Sequence, residues 1–162
     1  MPQGDPSDYQ RSFGFLLYDA ARLLRRDFDR RARTIGLTRA QWSVLAHLSR
    51  NEGINQVGLA DILDIEPITL VRLLDRLEES GWVERRPHPT DRRVYTLYIT
   101  AKAWPVIDQI RALAAETRAT ALAGVAPADR ALLVELLARI RANLSERPEP
   151  DQAPAPRAAQ DA

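Results

Sequence analysis

Cysteine is absent from this chain of 162 residues, and histidine occurs only at His47 and His88. The first absence excludes disulfides, thiolate catalysis, a thiol redox switch and every Cys-ligated zinc or iron-sulfur centre. The second leaves too few imidazoles for a dedicated His-ligated metal site unless carboxylates or another chain complete it. Long apolar runs are also missing. No stretch approaches the roughly 20 apolar residues of a membrane span, and Met1 to Arg11 has neither an apolar run nor a cleavage-site pattern. A soluble, cytoplasmic protein without a membrane partner is expected. An excess of either charge is lacking too. The 23 basic and 22 acidic side chains give a net +1, whereas a strongly basic domain is the usual footprint of nucleic-acid binding. Gly-rich phosphate loops, a Gly-x-Ser-x-Gly elbow and metal-ligand spacings do not occur. Neither an enzyme nor a cofactor is expected.

What is present is 45% hydrophobic and 28% charged, enough for one domain with a real core. Sequence poor in core formers predicts a flexible arm at 1–12 and a disordered tail at 145–162 around a single domain at 13–144. From Phe13 apolar residues recur at helical spacing through Leu16, Leu17, Ala20, Leu23, Leu24 and Phe28, and Gly36 is placed to end that helix. Thr38 and Gln41 have capping-box spacing, with Leu37 and Trp42 as a hydrophobic staple, ahead of a helix from Ala40 to about Ser49. Asn55 is available to cap a short helix at Val57 to Leu63, with Leu59, Ile62 and Leu63 turned inward. Glu66-Pro67 opens a fourth helix whose stripe is Leu70, Val71, Leu74 and Leu77 and whose end is Gly81. The tight junction between these two helices predicts a helix-turn-helix.

Beyond Gly81 the period changes. Trp82 to Arg86 and Val94 to Thr100 are rich in β-branched and aromatic residues and flank turn material at Pro87 to Asp91. A β-hairpin with a basic tip is expected. Thr100 is then read as the cap of a helix from Ala101 to about Gly124, early in which Pro105 removes a hydrogen bond. A last helix opens near Pro127 and carries Leu133, Leu136, Leu137, Ile140 and Leu144. The expected fold is mainly α with a small β-hairpin wing: a winged helix-turn-helix at 37–100 flanked by helices at 13–35 and 101–144. The flanking helices carry more apolar surface than so small a module needs, which points to a two-fold dimer.

On the fourth helix Thr69, Arg72 and Arg76 lie opposite the apolar stripe, with Pro67 and Ile68 at the leading end. Recognition helices place such N-terminal residues on major-groove base edges, where arginine pairs with guanine and apolar groups meet a thymine methyl. On the hairpin, Arg85, Arg86, Arg92 and Arg93 put four guanidiniums on one ribbon, suited to the negative minor groove. Asp91 beside them can pair with an arginine and so reduce the entropy lost on binding. Charge by segment accounts for the near-neutral total. Residues 55–81 carry two basic and six acidic side chains, residues 82–102 five basic and two acidic. The carboxylates of Asp61, Asp64, Asp75, Glu78 and Glu79 are expected to limit non-specific affinity.

The run Ile65 to Arg72, the Leu-Asp-x-Leu-Glu-x-x-Gly stretch from Leu74 to Gly81, the Asp91-Arg92-Arg93 wing signature, and Leu97 to Thr100 followed by Lys102-Ala103 together resemble the MarR/SlyA family of bacterial transcription regulators. The resemblance extends over about Phe13 to Leu144. It implies an obligate homodimer joined through the first and last helices on a pseudo-palindromic double-stranded DNA operator. It also implies that the arginine at position 93 enters the minor groove, oriented by Asp91, and that the usual outcome is repression relieved by a small ligand. Many members take a phenolic compound, an aromatic carboxylate or an acyl-CoA thioester between the dimerisation helices and the winged module. Tyr18, Arg22, Trp42, His47 and Arg72 are the residues here that would line such a cleft, an aromatic wall with cations for a planar anion. Two alternatives stay open: an activator or anti-silencer of the SlyA kind with little ligand response, and a winged helix serving only protein contacts.

Overall fold

The computed structural model of the chain describes residues 12–91 and 93–145. The arm and tail expected from sequence lie, but for Ser12 and Ser145, outside the described residues. Helix α1 (Phe13–Ala32) runs into a 3-10 turn at Arg33–Ile35, followed by α2 (Arg39–Leu48), α3 (Gln56–Leu63) and α4 (Pro67–Glu79). Strands β1 (Val83–Pro87) and β2 (Tyr95–Ile99) come next, then α5 (Trp104–Ala121) and α6 (Pro127–Ser145). Two compact units result, divided after Ala121.

Local chemistry sets most boundaries. Ser12 caps α1 by accepting from the Phe15 amide, and Gly36 (φ 76°) ends the 3-10 turn in the left-handed region that side chains avoid. Thr38 and Gln41 form the full capping box: the Gln41 amide donates to Thr38 Oγ1 at 3.3 Å, and the Thr38 amide donates to Gln41 Oε1 at 3.0 Å. The Gly58 amide donates to Asn55 Oδ1 at 2.8 Å, fixing the start of α3. Asp64 ends it at φ 52°, one of the few non-glycine types that tolerate this conformation. Pro67 then opens α4 at a position where its missing N–H costs nothing.

Antiparallel β1 and β2 pair from Val83 opposite Ile99 to Pro87 opposite Tyr95. The hairpin is fastened to the α2–α3 loop: the Leu97 amide donates to Ile54 O at 2.9 Å and the Gly53 amide to Leu97 O at 2.8 Å. Glu52 Oε1 also accepts from the Ile99 amide at 2.9 Å. Leu45, Leu48, Leu59, Leu70, Leu74, Leu77 and Leu97 are fully buried, so α2, α3, α4 and β2 share one core. Helices α1 and α5 join it through Phe28, Ala32, Ile107 and Ile110. Among the described residues no helix is long and apolar enough to cross a membrane.

Three local readings need correction. Ile62 points outward and is 42% exposed, while Ala60 takes the buried place beside Leu59. Val71 is only half-buried. Thr100 does not cap a helix; its hydroxyl donates to Gly81 O at 2.6 Å, locking the exit of β2 to the end of α4. The following chain makes a 3-10 turn at Ala101–Ala103 before α5 starts at Trp104, which puts Pro105 in the first α-turn where its lost donor has no partner to miss.

A buried carboxylate joins α1 to α2. Asp29 accepts from Trp42 Nε1 at 3.0 Å and Arg39 Nε at 2.8 Å, and Trp42 packs edge-on against Phe28 at 4.4 Å. Burial pushes the Asp29 carboxyl up, but the Arg39 and Trp42 hydrogen bonds outweigh it and hold the group below the usual carboxylate range. Its contribution is therefore complete above about pH 4, the unfolded value, and is lost as pH falls through the lower folded value. Asp29→Asn is expected to cost about 1–2 kcal/mol at neutral pH, because Arg39 is itself largely in water. Urea melts at pH 7 and pH 3 check this: the gap between wild type and variant should shrink in acid, and a constant gap contradicts the assignment.

Among the described residues the second unit comprises a turn and α6. Arg130 braces the turn, donating to Val125 O at 2.8 Å and Leu122 O at 2.9 Å. None of the α6 side chains is buried; Leu132, Leu133, Leu136, Leu137 and Leu144 are all exposed.

Candidate nucleic-acid interface

Helix α4 is amphipathic in a way that leaves one face for a ligand. Leu70, Leu74 and Leu77 anchor it to the core; Ile68, Arg72 and Arg76 succeed one another at i, i+4 and i+8 on the outer side and are exposed. Pro67 and Thr69 complete the exposed leading turn. Among the described residues neither Arg72 nor Arg76 has a carboxylate within ion-pair distance, so both guanidiniums are available.

On the wing the four arginines are not equivalent. Arg93 is 90% exposed, yet its orientation is set: its amide, Nε and Nη2 donate to Asp91 at 3.0, 3.1 and 3.2 Å. These side-chain and backbone hydrogen bonds from Arg93 hold the Asp91 carboxyl below its ordinary range. Arg86 pairs with Glu84 and lies over the Tyr98 ring at 4.1 Å, its head still outward. Arg92 lies outside the described residues.

Arg85 departs from the sequence expectation of a DNA contact. Its side chain is only 15% exposed and turns inward against α4, donating to Asp75 Oδ1 at 2.6 Å, to Glu78 and to Val71 O at 3.4 Å. The Arg85 amide donates to Glu78 Oε1 at 3.2 Å as well. With both terminal nitrogens of its guanidinium so occupied, Arg85 ties the wing to α4. It also neutralises two of the acids expected to face DNA, a role that no spacing within β1 signals.

The expected ligand-binding residues separate in the structure. Trp42 and His47 do meet, and both line two neighbouring cavities. One, of about 280 Å³, lies between α1, α2 and α5 with Phe28, Ile107 and Ile110 in its walls. The other, of about 690 Å³, opens between α1, α2 and the helix-turn-helix, bounded by Leu63, Ile65, Thr69 and Leu73. Burial, then the Arg50 charge, pushes His47 below the ordinary imidazole value, so it is neutral at pH 7. Tyr18 is 67% exposed on α1 and Arg22 is held by Asp19 at 2.9 Å; neither borders these cavities. Arg72 faces away, and Thr69 and Leu73 take its place at the floor. Instead the cations of the smaller cavity are Arg25 from α1, Arg50 from the turn after α2, and Arg111 and Arg118 from α5, and so not recognisable as a group in sequence.

Comparison with known proteins places this arrangement. The family model for the MarR family matches residues 37–95. The structure of the transcriptional regulator PA3341 is 41% identical, with 84% of this chain and 100% of that chain covered at a TM-score of 0.75. A C80S mutant of MarR from E. coli is 26% identical over 80% of this chain and 96% of that one, TM-score 0.71. The transcriptional regulator SlyA is 28% identical over 80% and 92%, TM-score 0.68. With the winged helix, the free arginines of α4 and this coverage, the chain belongs to the MarR family of DNA-binding transcriptional regulators.

Proposed function

We propose that the protein is a homodimeric repressor that reads a pseudo-palindromic operator with α4 and the wing and releases it on binding a small anion. The observation that carries the DNA reading is the pairing of an exposed, unpartnered Arg72–Arg76 face with an Arg93 already oriented by Asp91. Residues Pro67, Ile68, Thr69, Arg72 and Arg76 would enter the major groove, and Arg93, with Arg86 and Arg92, the minor groove. Dimerisation is supported by apolar surface that each unit leaves uncovered: Phe13, Phe15, Leu16 and Tyr18 on α1, and Leu132, Leu133 and Leu136 on α6. An effector is supported by the two cavities, in which aromatic and aliphatic walls meet a cluster of cations with a neutral His47. A flat apolar body bearing a carboxylate fits that chemistry. Binding there would press on Thr69 and Leu73 and move α4 relative to its half-site.

Light scattering should give a mass of about twice 18.2 kDa, and Leu16→Asp should shift it toward a monomer that no longer binds DNA. Selection from a random duplex pool should return inverted half-sites about one turn apart, with binding relieved by an aromatic carboxylate. Recovery of no preferred sequence would contradict the proposal.

A further inference from the structure

Ile68 has no role in the fold. Its side chain is 62% exposed at the second position of α4, and it belongs neither to the core nor to the partly buried side chains packed on it. Its neighbours Ile65, Leu70 and Leu73 all do. An isolated exposed apolar side chain is ordinary on a protein surface. Here, however, it stands in line with Arg72 and Arg76 on the face offered to DNA, where every other long side chain is charged.

The major groove presents one apolar group on its base edges, the C5-methyl of thymine. Ile68 precedes Arg72 by four residues, about 6 Å along the helix, which is under two base-pair steps of about 3.4 Å. We infer that Ile68 is a specificity-determining residue whose methyl groups pack on a thymine C5-methyl in each half-site, within about two base pairs of the base contacted by Arg72. The inference rests on the reading of α4 as the major-groove helix. It adds a base identity that the arginines cannot supply, because a guanidinium pairs with guanine and is indifferent to whether a neighbouring pyrimidine carries a methyl group.

Deoxyuridine isolates that group, since it differs from thymidine only by the missing methyl and pairs identically. The selected duplex is labelled, each thymine is replaced in turn by deoxyuridine in both half-sites, and the dissociation constant is read by fluorescence anisotropy. One position should stand out, with about a fourfold loss per half-site, the value of one buried methyl group. In Ile68→Ala the same replacement should have no effect, while Ile68→Val should keep part of it. Both variants alter an exposed position, and circular dichroism melts should match wild type. Indifference of the wild type to every uracil overturns the inference while leaving DNA binding intact. So does a uracil penalty of unchanged size in Ile68→Ala, or the absence of any preferred thymine from the selected half-sites. Failure to bind every duplex tested would overturn the DNA reading itself, and the inference with it.

Discussion

Replacing Arg93 by alanine is expected to weaken binding to every duplex, preferred or not, by roughly 10- to 100-fold per dimer. The side chain stands free in solvent except for Asp91, so its removal disturbs no packing. What is lost is a cation whose position is set in advance by two hydrogen bonds from its guanidinium to one carboxylate, which reduces the ordering cost on insertion between phosphates. Asp91→Asn should produce a smaller loss, because the arginine remains but is no longer held. Anisotropy titrations on preferred and scrambled duplexes check both, with the oligomeric state unchanged by light scattering. A loss confined to the preferred duplex, or no loss, contradicts the wing assignment.

Arg85→Ala should be at least as damaging, by a different route. Its guanidinium links β1 to Asp75, Glu78 and the Val71 carbonyl, and it is nearly out of solvent. Removing it leaves two carboxylates beside the DNA-facing side of α4 and frees the wing from the helix. A stability loss of about 1–3 kcal/mol is expected, together with at least tenfold weaker binding to the preferred duplex. The salt dependence distinguishes the two arginines. Loss of a phosphate contact should flatten the log–log slope by about 0.9 for each protomer, which is expected of Arg93→Ala. Arg85→Ala should weaken binding while leaving the slope nearly unchanged, since its charge is spent inside the protein. Arg85→Lys should restore little, because one ammonium cannot reproduce the fork that reaches both acids.

These arginines also show what could be read from the chain and what could not. The Thr38–Gln41 capping box, the Asn55 cap, the Pro67 start and the Gly36 and Gly81 ends depend on residues a few positions apart, and each formed as its spacing implied. The Asp91–Arg93 pair is of the same kind, two residues apart at a turn. Arg85 carries no such signal, because its partners are seven and ten residues away on another element and β1 bears no sign of which face will meet α4. The outward turn of Ile62 is illegible for a related reason: in a helix of eight residues with apolar groups at Val57, Leu59, Ile62 and Leu63, periodicity does not single out one direction, and packing against α2 and α4 decides it. Asp29 gives no signal in sequence, being one of three acids among the arginines of α1; only folding brings Trp42 and Arg39 to it. The cations of the smaller cavity come from α1, the turn after α2, and α5, so no spacing along the chain groups Arg25, Arg50, Arg111 and Arg118.

A near-neutral chain that binds DNA must place its few free cations where they count. The six acids of residues 55–81 would oppose a duplex, and the structure answers with Arg85 covering two of them and with Arg93 projecting beyond the rest. Titration of the dimer against its selected duplex over increasing salt tests that account most directly. Three or four arginines on each protomer, drawn from α4 and the wing, predict a slope of log affinity against log salt of roughly −5 to −7. A slope near zero would mean that these arginines do not meet phosphate.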